Sequence, residues 1–343
     1  MAAGYTTSLL VNAQTKLAKR LEMPEFKHEP YNLIKLMLSR GKGMIPKDKL
    51  DELLKSDSMT VETFIFALRS ITAGSDRAHG HTLAAFGDTQ KANLSFSIVS
   101  ANYGVSLKMG GRNIMSQAEM LSHDLKSALI VIDNTIETAI AAYLSTNKTQ
   151  HNTADGSYKR FGEWSTDKWI IPASHENWVF QYIQEVMSIN DYDMALDIVT
   201  DNVGAAIAAQ KAAQGSGNAT NMGWQFNNMN IVKSRRVADS EYQATFYVMP
   251  AGTVGMLDRI PTENREGRTL KNYDYSNMSD ELGSGLVNAV HYYETGADNS
   301  AVGAETQDVT FEYENSVDYA MLKAPLSAGA TYTPIFKFVL DNS

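Results

Sequence analysis

A single long amphipathic helix, predicted to run from Gln117 to about Lys148, constrains the fold of this chain more than any other segment. Ser116 and Glu119 have the spacing of the capping box that begins a helix. Apolar residues then recur every three or four positions, as they do on one helix face; they are Leu121, Leu125, Leu129, Ile132, Ile136, Ile140 and Tyr143. At about 1.5 Å per residue, about 32 residues would extend roughly 48 Å, more than a small domain needs. Because only one face is apolar, the pattern predicts a spine that packs along a sheet and not a membrane span.

A β-hairpin is predicted directly before this helix, with its turn at residues 101–104. The two apolar rows alternate with polar residues and consist of Leu94, Phe96 and Ile98, and of Val105, Leu107 and Met109. Gly110 and Gly111 would join the hairpin to the helix and let it pivot, because glycine has the widest backbone freedom. Two strands alone are marginally stable in water. We therefore expect the apolar rows to lie on a neighbouring subunit.

The hydrophobic period changes from helical in the first half of the chain to strand-like in the second. Residues 1–75 and a segment from about 193 to 213 are predicted to be helical. The predicted strands of the second half are Ile231–Val237, Tyr242–Val248, Leu286–Tyr293, Val309–Tyr313 and Ile335–Leu340. No series of alternating strands and helices is present, so the pattern predicts an α+β fold.

Composition excludes several classes of function. The net charge of −9, from 30 basic and 39 acidic side chains, argues against a protein whose main task is binding nucleic acid. The chain has no cysteine, which excludes disulfides, thiolate metal sites and cysteine nucleophiles. The phosphate-loop, dinucleotide, zinc-protease and serine-hydrolase motifs are all missing from the sequence. We therefore expect no catalytic residues, no cofactor and no structural metal.

Two weak metal candidates remain in the sequence. His79 and His81 could share a zinc ion if a third ligand were supplied, although histidines in a polar loop usually lie at the surface. Asp193, Asp197 and Asp201 repeat every four residues and would share one face of the predicted helix. That face could bind a divalent cation, or it could simply be solvated.

A charged segment offers a candidate for contacts between subunits. Arg259, Glu263, Arg265, Glu266 and Arg268 are crowded into one short stretch that contains a proline and a glycine. Such residues could form ion pairs between subunits that set their register, or they could form an ordinary solvated loop. Both interpretations stay open at this stage.

Taken in order, these segments resemble the major capsid protein of tailed bacteriophages, which has the Hong Kong 97 fold. That fold has an N-terminal arm, an extended hairpin called the E-loop, a peripheral domain with a spine helix and a long sheet, and an axial domain. The resemblance implies a helical N-terminal region at 1–75, the E-loop at 76–113, the peripheral domain at 114–189 and the axial domain at 190–285. Strands in 286–343 would complete the peripheral and axial domains.

The resemblance also implies a function. The chain would be a structural shell protein that assembles with itself, as pentamers and hexamers, into an icosahedral capsid enclosing a phage genome. Scaffold, portal and decoration proteins are candidate partners, packaged DNA would be contacted weakly and without specificity, and no membrane would be involved. The protein would lie in the virion capsid after assembly in the host bacterial cytoplasm. The alternatives are an encapsulin-like compartment, a tail or baseplate component, and a hydrolytic enzyme using Asp and His residues.

Overall fold

A computed structural model of the chain shows an α+β fold, as predicted. It describes residues 2–23, 31–45, 47–56, 58–66, 89–106, 116–148, 162–165, 167–190, 192, 195–215, 228–261, 264, 269–270, 273–279, 282–295, 310–324 and 334–342. Helices dominate the first half of the chain and strands the second. This is the change of period that the sequence shows.

Six α-helices lie within the described residues. They are α1 (Ala2–Leu21), α2 (Asn32–Met44), α3 (Lys47–Lys55), α4 (Gln117–Asn147), α5 (Val179–Ile189) and α6 (Asn202–Gly215). Short 3-10 turns precede α5 and follow the seventh strand.

The described strands form two six-stranded sheets and one two-stranded hairpin. The strands are β1 (Thr60–Phe66), β2 (Thr89–Ser95), β3 (Ser97–Ser106), β4 (Glu163–Ser165), β5 (Lys168–Ile171), β6 (Leu196–Thr200), β7 (Met229–Lys233), β8 (Ala244–Pro250), β9 (Val254–Arg259), β10 (Thr269–Leu270), β11 (Tyr273–Ser279), β12 (Val287–Thr295), β13 (Thr310–Lys323) and β14 (Phe336–Leu340). The first sheet is antiparallel, in the order β10–β11–β12–β13–β3, with β9 also paired to β13. The second sheet is mixed, in the order β4–β5–β14–β8–β6–β7.

The predicted spine helix is confirmed as α4. Its capping box is formed, with the backbone N–H of Ser116 donating to the Glu119 carboxylate at 2.8 Å. The predicted apolar stripe packs on β3, β13 and α1, and its aliphatic members from Leu121 to Ile140 are buried. By length and composition alone α4 could cross a membrane, but half of its most apolar window is buried inside the chain. The core helix of a soluble protein can pass the same test of length and composition.

The predicted hairpin is wrong, and the chain forms a different one. Residues 101–104 continue through the middle of β3, which pairs along its whole length with β13. Gly104 does not form a turn but allows β3 and β13 to approach each other closely, since a Cβ there would lie 2.9 Å from the Phe311 carbonyl oxygen. The hairpin is formed by β1, within the region predicted to be helical, and β2, and its connecting residues 67–88 lie outside the described residues.

The helix predicted over about 193–213 is wrong at its first turns. Residues Leu196–Thr200 form β6, which is buried along its length between β7 and β8, and α6 begins only at Asn202. A short apolar run fits a buried strand or a helix equally well by periodicity. The second sheet also takes β4 and β5 from the segment predicted as peripheral, and β14 from the end of the chain. The domain boundaries themselves stay a prediction.

Candidate assembly site at the root of the hairpin

The hairpin is a two-stranded ribbon whose root is fastened to the first sheet. Its strands pair over seven residues each, from Thr60 opposite Ser95 to Phe66 opposite Thr89. Where the chain leaves the ribbon, the backbone N–H of Phe96 donates to the Met59 carbonyl at 2.8 Å. The chain then enters β3 without a linker, so the ribbon is continuous with an edge strand of the first sheet.

Arg259, the last residue of β9, makes contacts with both sides of this root. Its Nη1 donates to the carbonyls of Ser56 at 2.9 Å and Ser58 at 2.7 Å, both on the segment that enters the hairpin. Its guanidinium lies over the Phe96 ring, 4.0 Å from the ring centroid, at the exit from the hairpin. Its Nε donates to Asp318 Oδ2 on β13 at 3.2 Å. We call Arg259, Asp318, Phe96, Ser56 and Ser58 the root clamp.

The root clamp is shielded from water. The side chains of Arg259 and Asp318 are each 4% exposed. A buried charge is costly unless it is paired and hydrogen-bonded, and here the guanidinium has an ion pair, two carbonyl acceptors and an aromatic face. The expectation that Arg259 pairs between subunits is therefore wrong, because its partner is in its own chain.

The predicted apolar row of the hairpin is mostly part of the subunit's own core. Leu94 packs with Ile45, Leu53, Leu257 and Leu322 in a small separate cluster. Phe96 is buried in the root clamp, and Val105 lies in the main core beside α4. The expectation that these three side chains await a neighbour is wrong.

Ile98 is 57% exposed, and its role in contacts between subunits stays a prediction. It lies directly opposite Asp318, so both side chains project from the same face of the first sheet. Met59, at the entrance to the hairpin, is also a large exposed apolar residue. Exposed apolar side chains thus flank the root clamp.

Several predicted site residues lie outside the described residues. They are Leu107, Met109, Gly110, Gly111, Glu263, Arg265, Glu266, Arg268, His79, His81 and Asp193. Their proposed roles in pivoting, ion pairing or metal binding stay predictions.

The two described aspartates of the predicted stripe have separate structural roles. Asp197 Oδ2 and Oδ1 accept hydrogen bonds from Nε and Nη2 of Arg40, both at 2.8 Å, and Asn230 donates to Oδ1 at 3.0 Å. The hydrogen bond to Asp197 raises the pKa of the Arg40 guanidinium. Asp201 accepts from the backbone N–H groups of Gly204 and Thr245 and so caps the start of α6. Within the described residues no cluster of three His, Asp or Glu side chains could hold a metal ion.

The Arg40–Asp197 pair joins α2 to the second sheet, while α2 itself packs on β9 of the first sheet. That packing is unusually close at Gly41 and Gly255. A Cβ on Gly41 would lie 2.1 Å from the Met256 carbonyl oxygen, and one on Gly255 would lie 2.5 Å from the Gly41 Cα. The helix and strand backbones therefore touch, which only glycine allows.

A surface cleft of about 620 Å³ lies over β3, β12 and β13. Its lining includes Tyr103, His291, Glu312, Tyr313 and Glu314. Tyr103 stacks on Tyr313 with ring centroids 5.5 Å apart, and burial raises the pKa of its hydroxyl. Because these residues are far apart in sequence, no local pattern indicated the cleft.

No family model and no curated protein matches the chain. Among solved structures, a chain from Mycobacterium phage Che8 is 12% identical with a TM-score of 0.49, and the match covers 86% of this chain and 89% of that one. A chain from the asymmetric unit of the bacteriophage PhiM1 mature capsid is 12% identical with a TM-score of 0.45, covering 84% of each chain. A chain from the capsid of Ralstonia phage GP4 is 11% identical with a TM-score of 0.44, covering 84% of this chain and 86% of that one.

The described chain has three helices near its N-terminus, then the β1–β2 hairpin, the spine helix α4 and strands that complete two sheets. The domain boundaries that the resemblance implied stay a prediction. Over more than four fifths of its length, the chain is similar to chains of bacteriophages, two of them from capsids.

Proposed function

We propose that the chain is a structural subunit that assembles with copies of itself into a closed shell, the capsid of a tailed bacteriophage. The observation that carries the proposal is the hairpin, a two-stranded ribbon fastened at its root to a body that already has its own cores. Isolated two-stranded ribbons are marginally stable in water, so further support for its outer part would come from another molecule. A second copy of the same chain would supply a surface on which the ribbon can lie.

The layout of the body supports the same proposal. The α4 helix provides a spine for the first sheet, and α5 and α6 pack on the second sheet. Two of the chains that are similar to this one come from phage capsids. Many copies of one subunit in symmetric contact would then form the pentamers and hexamers of the shell.

Within this proposal the protein is not an enzyme. Asp197 and Asp201, the described members of the predicted cation-binding stripe, are held by Arg40 and by backbone amides respectively. A hydrolase would need carboxylates that converge on a substrate. The subunit would reside in the virion capsid after assembly in the host cytoplasm, with scaffold, portal or decoration proteins as further partners.

Two related structural roles remain as alternatives, an encapsulin-like compartment and a tail or baseplate component. A tail component would form rings or tubes instead of closed shells. Particles isolated from cells would contain nuclease-protected nucleic acid if the shell is a capsid, and a protein cargo if it is a compartment. The described structure favours a shell through its hairpin.

A shortened hairpin tests the proposal directly. Phe66 and Thr89 are opposite each other, so residues 67–88 can be replaced by Asn-Gly, which forms a tight two-residue turn. We expect this variant to fold as a soluble subunit and to lose shell formation, as measured by light scattering after size exclusion. The matched control replaces residues 296–309 by Asn-Gly between Thr295 and Thr310, which are also opposite each other.

The control variant should still assemble. If the shortened hairpin variant forms shells as readily as the parent chain, the hairpin is not an assembly element and the proposal loses its main support. If both variants fail to assemble while remaining folded, the hairpin has no special role.

A further inference from the structure

Arg259 holds the two sides of the hairpin root and the first sheet at once. The chain enters the hairpin through Ser56 and Ser58, whose carbonyls accept from Arg259 Nη1. It leaves through Phe96, whose ring lies under the same guanidinium. Asp318 joins that guanidinium to β13, the long strand of the first sheet that pairs with β3, β9 and β12.

The geometry points to the root clamp as the device that sets the direction in which the hairpin leaves the body. We infer that Arg259 is a positioning residue: it fixes the hairpin inside each subunit before any neighbour is met. Its planar guanidinium offers several donors in fixed directions, so it constrains the angle between the segments it joins. A ribbon attached only through Leu94 and flexible backbone would have no such constraint.

This inference differs from a pivot in the segment before α4, where Gly110 and Gly111 were expected to give freedom. In the structure, the hairpin root lies instead between residues 56 and 60 and at Phe96, next to buried side chains. The Leu94 cluster and the root clamp lie on neighbouring parts of this root. Together they make the root a fixed joint.

The consequence for assembly rests on the proposed function. If the hairpin overlaps a neighbouring subunit, then a fixed departure angle sets where that neighbour can lie, and so contributes to the curvature of the shell. A loosened root clamp would allow several angles and produce particles of mixed size. The fixed departure angle is a property of the single subunit, so it can be measured without any shell.

The test measures the distance between the hairpin and the body by pulsed electron paramagnetic resonance. The chain has no cysteine, so spin labels attach only at Thr63→Cys on β1 and Ala142→Cys on the exposed face of α4. The labelled, unassembled full-length protein is diluted into unlabelled protein so that only distances within one chain are recorded. We expect one narrow distance distribution for the parent and a broad or shifted one for Arg259→Met.

Two further variants separate positioning from folding. Arg259→Lys keeps the charge opposite Asp318 but loses the planar fork, and Phe96→Leu keeps an apolar side chain but loses the aromatic face. Both should broaden the distribution, less than Arg259→Met does. Arg40→Met is the matched control, because it breaks another Arg–Asp pair, the one between α2 and the second sheet, and should leave the distribution narrow.

An unchanged distribution in a folded Arg259→Met variant would overturn the inference. If Arg259→Met does not fold, unchanged distributions in both Arg259→Lys and Phe96→Leu would overturn it equally, as would equal broadening by Arg40→Met. A parent protein that never assembles would contradict the proposed function alone. A parent that assembles, with distributions insensitive to Arg259, would contradict the root clamp alone.

Discussion

Two arginine–aspartate pairs hold this subunit together, and they act at different places. Arg259 and Asp318 lie at the hairpin root and are nearly completely buried. Arg40 and Asp197 join α2 to the second sheet, with the aspartate buried and the arginine partly exposed. Removing one partner of a buried pair is costly because the other charge is left in a poorly solvated place.

We predict that Asp197→Ala lowers the free energy of unfolding by about 2–4 kcal/mol, since it removes a two-point ion pair and the hydrogen bond from Asn230. The partial exposure of Arg40 limits the loss, because its guanidinium can turn towards water. Urea unfolding followed by circular dichroism gives the value. Asp124→Ala is the control, since Asp124 pairs with the exposed His123 at the surface, and it should change stability by less than about 0.5 kcal/mol. Equal stability of the Asp197→Ala and Asp124→Ala variants would mean that the pair contributes nothing measurable.

At the scale of elements, the helix α2 and the strand β9 meet through glycine backbones instead of side chains. Gly41 and Gly255 leave no room for a Cβ on either side. This contact brings α2 close enough for Arg40 to reach the second sheet while α2 remains packed on the first. The position of α2 therefore depends on the absence of a Cβ atom at both glycines.

We predict that Gly41→Ala destabilises the subunit by about 1–3 kcal/mol, because overpacking a rigid backbone contact forces the helix away from the strand. Gly43→Ala lies in the same helix with no atom within 4 Å of the added Cβ. That variant should be neutral or more stable by about 0.5–1 kcal/mol, because alanine favours helix more than glycine does. A thermal melt of both variants decides the matter. If both variants shift the melting temperature upwards, the helix can move freely from β9.

The spine helix allows a second test at this scale. Ile132 is fully buried on the face of α4 that packs in the main core, and Val131 beside it is 54% exposed. We predict a loss of about 2–5 kcal/mol for Ile132→Ala, the range for deleting a buried aliphatic side chain. Val131→Ala should be nearly neutral. A well-folded Ile132→Ala variant of parental stability that only fails to assemble would place this face in an interface between subunits.

Local signals in the sequence were sufficient for α4 and insufficient for the hairpin. The capping box and the apolar stripe of α4 act within a few residues of each other, so periodicity predicted its start, its end and its buried face. Gly104 looked like a turn residue because its neighbours in the sheet, Phe311 and Glu312 on β13, are more than two hundred residues away in the chain. A close approach of two strands and a turn both select glycine, and only the partner strand distinguishes them.

The same limit applies to the candidate site. Arg259 was singled out from the sequence, but as one member of a charged segment with partners in another subunit. Its actual partner, Asp318, and the carbonyls of Ser56 and Ser58 become neighbours only when β9, β13 and the hairpin root come together. Arg40 and Asp197 gave no local sign of pairing, because they lie in an N-terminal helix and in a strand of the second sheet.

At the scale of the whole molecule, the chain has a body built on two sheets, and the root clamp joins the β1–β2 hairpin to this body. The main core takes residues from both sheets, and a second core lies where α5 and α6 pack on the second sheet, so the described body has cores of its own. The hairpin is the element that we propose to contact other copies of the chain. The account of a shell subunit therefore depends on what this body and this hairpin do when many copies are present.

Electron microscopy of the purified full-length protein in negative stain is the most direct test of that central claim. The account predicts closed, hollow particles of uniform diameter, or pentamers and hexamers that close into such particles as concentration or salt is raised. A monodisperse monomer under all these conditions, or open rings and tubes without closed shells, would contradict it.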